Sequence, residues 1–319
     1  MLQHTLSGLV TLATINRTDI PSVWIRTGSV DDRWRTRFLA RTGVSVSSVS
    51  SGVEVVALVK LYANLGVVKG FIRYSVDTSG SNQDLSVNKA TSLCAPHGAV
   101  AAGGVYAAAL QAEGISELAD ATSISYSQLL NGTYAFNRDL LTVLRSDQPH
   151  SRDLSMASNT LVTLDIDEGG FLESLDRLNA GAAVFGYGAD EYTFTNAAST
   201  VGAGIVPTDW ASNLPTMSSG LQPSVESFPA LTPIADDGSS YYVAFACTDH
   251  DNIQWTLNDF TTNQFWFASP HRGKIPFSWG IHASAMYQLA REFRSITFCR
   301  PDYSFSRCHF LVPKQCHFE

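Results

Sequence analysis

Tyr241-Tyr-Val-Ala-Phe-Ala-Cys-Thr-Asp-His-Asp-Asn-Ile-Gln-Trp255 is an apolar run, Tyr241 to Cys247, that ends in a polar cluster. Gly238-Ser239-Ser240 bounds it upstream, and its length and composition predict a buried strand rather than a helix. Asp249, His250, Asp251 and Asn252 follow together. In α/β proteins the carboxyl ends of strands carry the binding and catalytic side chains, so this cluster is the first candidate site.

Working backward, short apolar runs at 161–165, 182–186 and 204–207 alternate with helical spacers near 171–180 and 189–199. That alternation predicts a parallel sheet with crossover helices. Asp165, Asp190-Glu191 and Asp209 stand at or just past the ends of these runs. Further upstream, helices are expected at 2–15, from Asp31, and at 53–64, with Gly66 as a C-cap. Strands are expected at 23–25, 67–74 and 99–102, the last leading into a helix that stops at Gly114. A further helix is expected to begin at Phe136-Asn137-Arg138-Asp139.

Residues 75–87 read as a linker, and 211–240, rich in Ser, Pro, Gly and Asn, as a domain boundary. Downstream of the opening stretch, Ile275-Pro276-Phe277-Ser278-Trp279 reads as a second strand one crossover away. The expected fold is α/β: small N-terminal α/β domains at 1–87, 88–155 and 156–235, then the start of a (β/α) barrel-like domain at 236–290. An atypical tail, 291–319, follows. A complete barrel needs roughly 200 residues or more, so the last domain reads as cut short.

Composition narrows the function classes. The 319 residues carry a formal net charge of −8, with five Lys, sixteen Arg and no basic run. Nucleic acid is therefore not an expected partner. No stretch approaches a membrane span, and Leu6 to Ile15 has no basic leader or cleavage site, so no signal peptide is expected and the compartment stays open. Among five cysteines, the spacing of Cys299, Cys308 and Cys316 does not fit a zinc site, and Cys94 and Cys247 read as core residues. Gly186-Tyr187-Gly188 lacks the third glycine of a dinucleotide fingerprint, and Gly98 to Gly104 lacks the Lys of a phosphate loop. No serine-hydrolase elbow is present.

Asp249 and Asp251, two apart in an extended segment, would place their Cα atoms about 6–7 Å apart on one side. Such a pair suits glycoside hydrolysis, where one carboxyl acts as acid and the other as base or nucleophile. It suits a divalent cation equally, and capping of the next helix by Asp249 and Asn252 is a third reading. An EF-hand is excluded, because position six is Gln254 and position twelve Phe260. Glu191 is taken as the catalytic partner from another strand end. Asn252, Trp255, Trp279, Asp209 and His250 are taken as ligand contacts, and the other aromatics between 241 and 287 as packing.

Asp249 to Trp255 and Arg272 to Gly280 resemble the C-terminal domain of the GxGYxYP family. Gly186 to Tyr192 and Pro207 to Leu214 resemble it further upstream, as do Asn88 to Thr91 more loosely. The resemblance implies small α/β domains ahead of a barrel-like one, carbohydrate as substrate or ligand, and an extracytoplasmic place for full-length relatives. The family's own link to glycoside hydrolysis rests on association with sugar-processing proteins. His250 stands where the family favours Gly, and the motif that names the family does not appear after Leu289. The expected function is glycoside hydrolysis by paired carboxylates. A non-catalytic glycan-binding protein and an inactive, shortened family member are the alternatives.

Overall fold

In a computed structural model the described residues are 1–14, 17, 19–45, 47–76, 85–164, 170–188 and 190–219. Beyond these come 238–239, 241, 243, 245–247, 252–255, 257, 260, 262–272, 274 and 278–279. They fall in two compact units, Met1–Ser219 and Gly220–Glu319.

The first unit opens with three helices, α1 (Leu2–Thr14), α2 (Ser29–Thr42) and α3 (Gly52–Asn64). Ser51 and Glu54 cap α3 reciprocally, each side chain taking the other's backbone N–H, which is why the chain turns helical there. Next come β1 (Gly70–Arg73), α4 (Ser86–His97), β2 (Ala99–Ala102), α5 (Gly104–Ala112) and β3 (Glu117–Asp120). These strands form an all-parallel sheet in the order β2-β1-β3. After α6 (Tyr126–Asn131), the chain alternates through β4 (Leu140–Val143), α7 (Arg152–Ala157), β5 (Val162–Thr163) and α8 (Gly170–Leu175). It continues through β6 (Ala183–Gly186), α9 (Glu191–Thr200), β7 (Gly204–Val206) and α10 (Leu214–Ser218). The second sheet is also all parallel, ordered β5-β4-β6-β7.

One apolar core runs through both sheets, with Phe71, Ile72, Leu93, Val100, Val143, Val184 and Phe194 among its buried members. Helix α4 joins them by packing on β1 and β2 and also on β5 and α7. Being covered on several sides, it has no polar face, and its Ser86, Asn88, Thr91 and Ser92 are buried. Their polar atoms bond inward instead: Asn88 Nδ2 donates to Leu144 O at 2.8 Å, and Ser92 Oγ accepts from Val162 N at 2.9 Å. Such polar pairing is required where no water reaches.

Helix α1 carries two different faces. Leu2, Leu6, Leu9 and Val10 enter the core, whereas His4, Ser7 and Thr11 form a polar seam toward the segment that holds α10. His4 Nε2 lies 3.3 Å from Ser212 Oγ, Ser7 Oγ 3.4 Å from Thr216 Oγ1, and Thr11 Oγ1 3.1 Å from the same Thr216 atom. Gly8 makes this approach possible, since a Cβ there would stand 2.4 Å from the Asp153 carbonyl of α7.

Several expectations are corrected. Residues 23–25 are not a strand, because Ile25 finds its pairing in one side chain. Asn213 Oδ1 accepts from Ile25 N at 2.8 Å, and Asn213 Nδ2 donates to Ile25 O at 2.7 Å. No helix begins at Phe136; Asn137 Oδ1 accepts from Asp139 N at 2.8 Å, a turn that delivers the chain into β4. The run read as a buried strand pairs only at Ala246–Cys247 (β8) among the described residues. Tyr241 is 99% exposed and Val243 75% exposed. Their every-other spacing is that of a strand face with nothing on it. In the second unit β8 lies parallel to β9 (Ser278–Trp279), and α11 is the single turn Ile253–Trp255.

Two expectations follow for the first unit. Asn213→Ala leaves the Ile25 amide and carbonyl unpaired and places alanine at φ 63; it should cost about 3 kcal/mol or more, read as a lower urea midpoint at unchanged m-value. His4 is 5% exposed, and burial, aided by nearby positive charge, pushes its imidazole down to about 2 from 6.5. The unfolded chain then binds a proton that the folded chain refuses between about pH 2 and 6.5. Stability is full above pH 6.5 and falls on acidification by about 1.4 kcal/mol per pH unit from this residue. A His4→Gln variant should show a shallower acid limb in urea titrations; an identical limb would contradict the assignment.

Candidate functional site

The carboxyl edges of the three parallel pairings are where chemistry can be assembled, and each edge is built differently. In the second sheet, β6 ends on Gly186 at φ 118, where a Cβ would stand 1.9 Å from Val143 O of the neighbouring β4. Only glycine permits that approach. The chain then turns at Tyr187-Gly188 into α9. Asp190 caps that helix, its Oδ1 accepting from Thr193 N at 2.7 Å. The Thr193 hydroxyl and amide hold the Asp190 carboxyl below its usual range. Glu191, in the first helical turn, and Tyr192 are exposed. Half-buried Asp209 and exposed Trp210 follow β7, which pairs with β6, so Glu191 and Asp209 share one edge of one sheet.

In the second unit the register sets Cys247 opposite Trp279 at the carboxyl ends of β8 and β9. Asp249, His250 and Asp251 lie outside the described residues, as does Asp165. Asn252 is half-buried, its backbone carbonyl accepts from Trp255 N at 3.1 Å, and its Oδ1 is buried without a hydrogen-bond partner. That oxygen does not cap α11, which removes the capping reading for Asn252. Trp255 stands edge-on to Trp266 at 5.2 Å and tilted against Phe260 at 5.0 Å. Phe260 in turn meets Phe267 at 5.2 Å, with the Arg272 guanidinium 3.9 Å above the Phe267 ring. Phe260 and Phe267 are packing residues, as expected, whereas Phe265 and Trp266 are exposed rather than packed away.

The strand ends of the first sheet, passed over in the sequence reading, enclose a cavity of about 490 Å³. The signal for it was Gly103-Gly104 directly after the alanine-rich β2. A Cβ on Gly103 would stand 2.8 Å from Tyr74 O, so the glycine lets β2 close against the end of β1. Among the described residues no group of three or more His, Cys, Asp and Glu is placed to hold a metal ion, and no helix is long and apolar enough to cross a membrane.

Two family models match this chain. Residues 140–219 match the GxGYxYP third domain, and residues 239–290 match the GxGYxYP putative glycoside hydrolase C-terminal domain. Both matches are to domains of the GxGYxYP family. The third-domain match covers the second sheet with Glu191 and Asp209, and the C-terminal match covers β8, α11 and β9. The fold is similar to the crystal structure of a putative hydrolase from Bacteroides thetaiotaomicron VPI-5482, at 26% identity and a TM-score of 0.75. That likeness covers 97% of this chain and 60% of the other, so the chain spans less than two thirds of that protein's length. No curated protein matches it.

The cap geometry separates two adjacent acids. Asp190→Ala should lower the melting temperature by removing the α9 cap, while Glu191→Gln should leave it unchanged. Differential scanning calorimetry of both variants checks this, and a Glu191→Gln variant that melts early would assign that carboxylate to the fold.

Proposed function

We propose that the protein hydrolyses glycosidic bonds, with Asp249 and Asp251 as the reacting carboxyl pair. The observation that carries the reading is the parallel register of Cys247 with Trp279. In a parallel pair both strands end at the same edge, where open α/β sheets carry their reactive groups, and Asp249 and Asp251 follow Cys247 in the sequence. The match of residues 239–290 to a glycoside hydrolase domain model supports the same segment.

Cleavage of a glycosidic bond requires a protonated carboxyl to carry the leaving oxygen and an ionised one to act as base or nucleophile. Two carboxyls meet this need where they share one site, because mutual repulsion there keeps one protonated while the other ionises. Asn252 adds an amide, whose buried Oδ1 has no hydrogen-bond partner among the described residues. Trp255, four residues after Asp251 in the sequence, is a half-buried ring held by Phe260 and Trp266, and Trp279 is the last residue of β9. Their rings suit the C–H face of a pyranose. His250, next to both acids, is assigned to orienting a carboxylate.

The test is reducing-sugar release from a panel of disaccharides and aryl glycosides. Asp249→Asn and Asp251→Asn should each lower kcat by about 100-fold or more with melting temperature retained. Undiminished turnover in the Asp251→Asn variant would remove the assignment. Wild-type protein that binds glycans calorimetrically but releases no sugar would replace hydrolysis with binding.

A further inference from the structure

The cavity of the first sheet lies where its strand order places a crevice. From β1 the chain crosses to β2 on one side, then returns past β1 to β3 on the other. Right-handed crossovers in opposite directions put their helices on opposite faces of the sheet. Accordingly α4 packs with α1 and α7, whereas α5 packs with α3. The loops leaving β1 and β3 therefore diverge, and at such a switch point open α/β sheets bind their ligands. The lining residues come from these places: Arg73, Tyr74 and Ser75 after β1, Gly104 and Gln111 from α5, Asp120 and Thr122 after β3.

The polar groups are held before any ligand arrives. Arg73 Nε donates to Glu117 Oε2 at 2.8 Å, with a second bond from Nη2, and Gln111 Nε2 reaches the same oxygen at 3.3 Å. Asp120 Oδ1 accepts from both the amide (2.9 Å) and the hydroxyl (2.7 Å) of Thr122. Both bonds that described residues make to this carboxylate fall on Oδ1, which leaves Oδ2 as an acceptor toward the crevice. Apolar floor is supplied by Ala107 and Ala108 of α5, beside the Tyr74 ring.

Charge decides the ligand class. Arg73 and Lys89 act on Asp120 as positive neighbours, and Glu117 and Asp120 balance them one for one. An anion would meet a carboxylate at the mouth, and a cation would meet the Arg73 guanidinium. A neutral molecule dense in hydroxyls can accept from the amide and guanidinium groups, donate to Asp120, and lay an apolar face on Tyr74 and the alanines. The volume lies within the range of small-molecule sites. We propose that this crevice binds a neutral sugar unit, as an accessory glycan site on the first unit. The choice of sugar among neutral polyols rests on the hydrolytic reading above; the crevice and its charge balance do not.

Titration calorimetry on the full chain tests it, using a panel of neutral mono- and disaccharides with inorganic phosphate and adenosine monophosphate as controls. The titrations are run in the Asp251→Asn background, where hydrolysis cannot consume the ligand. At least one saccharide should saturate, and Asp120→Ala and Ala108→Trp should each weaken it about 10-fold or more. Ala108 is exposed, so its replacement fills the crevice without entering the core. Saturation by phosphate or adenosine monophosphate instead, no saturation by any saccharide, or unchanged affinity in the Ala108→Trp variant would overturn the proposal. Wild-type protein that hydrolyses a glycoside while no saccharide saturates the crevice removes the accessory site alone, and wild-type protein whose crevice binds a saccharide but which releases no sugar removes the catalytic reading alone.

Discussion

The guanidinium of Arg152 is the interaction on which the first unit depends. It is fully buried, and burial pulls its pKa down to about 10. Removing a cation from water is tolerable only when its donors are met. Here Nε reaches Gln148 O at 2.8 Å, Nη2 reaches Arg145 O at 3.0 Å, and Nη1 reaches Thr91 Oγ1 at 2.9 Å. Two of these partners are backbone carbonyls of the loop after β4, which must turn inward to serve them. The third sits on α4. One side chain thus fixes the exit of the central strand of the second sheet and the helix it shares with the first, while Arg145 turns its own side chain outward to Asp147 at 3.0 Å.

Around that cation the interior is unusually polar, and the polarity is specific rather than diffuse. Asn213 bonds both backbone groups of Ile25 through its side chain and donates its own amide to Asp153 Oδ2 at 2.6 Å. Ser212 lies between His4 and His150, whose rings meet edge-on at 5.8 Å. A seam of leucines would accept many registers of α1 against the 212–216 segment; hydrogen bonds at these spacings accept one. The arrangement also ties the loops leaving β4 and β7 together at one edge of the second sheet, since both are held by this network.

The parts of the fold legible in the sequence were those governed by local rules. Gly66 and Gly114, read as helix ends, stand at φ 73 and φ 80 just past α3 and α5. The alternating texture of 161–207 also announced a parallel sheet, and the segments whose resemblance pointed to the GxGYxYP family lie largely in the two stretches its models match. What could not be read depended on distant partners. Helix α4 has no apolar stripe because it is covered on several sides, and Ile25 pairs with a residue 188 positions away. Strand order, and with it the crevice at Arg73 and Asp120, is a property of crossings that no local pattern encodes. For the candidate site, Asn252, Trp255 and the aromatic cluster were visible as composition, yet which rings are exposed depended on packing.

The seam between α1 and the 212–216 segment has a consequence for synthesis. His4, Ser7 and Thr11 have partners that the ribosome delivers about two hundred residues later, and Gly8 can settle only against a formed α7. At roughly 5–20 residues per second, the polar face of the first helix waits on the order of ten seconds or more for its partners. The same polar residues that later make its docking unique dilute its apolar surface during that interval, so a seam that specifies the mature unit also guards the nascent one against premature association.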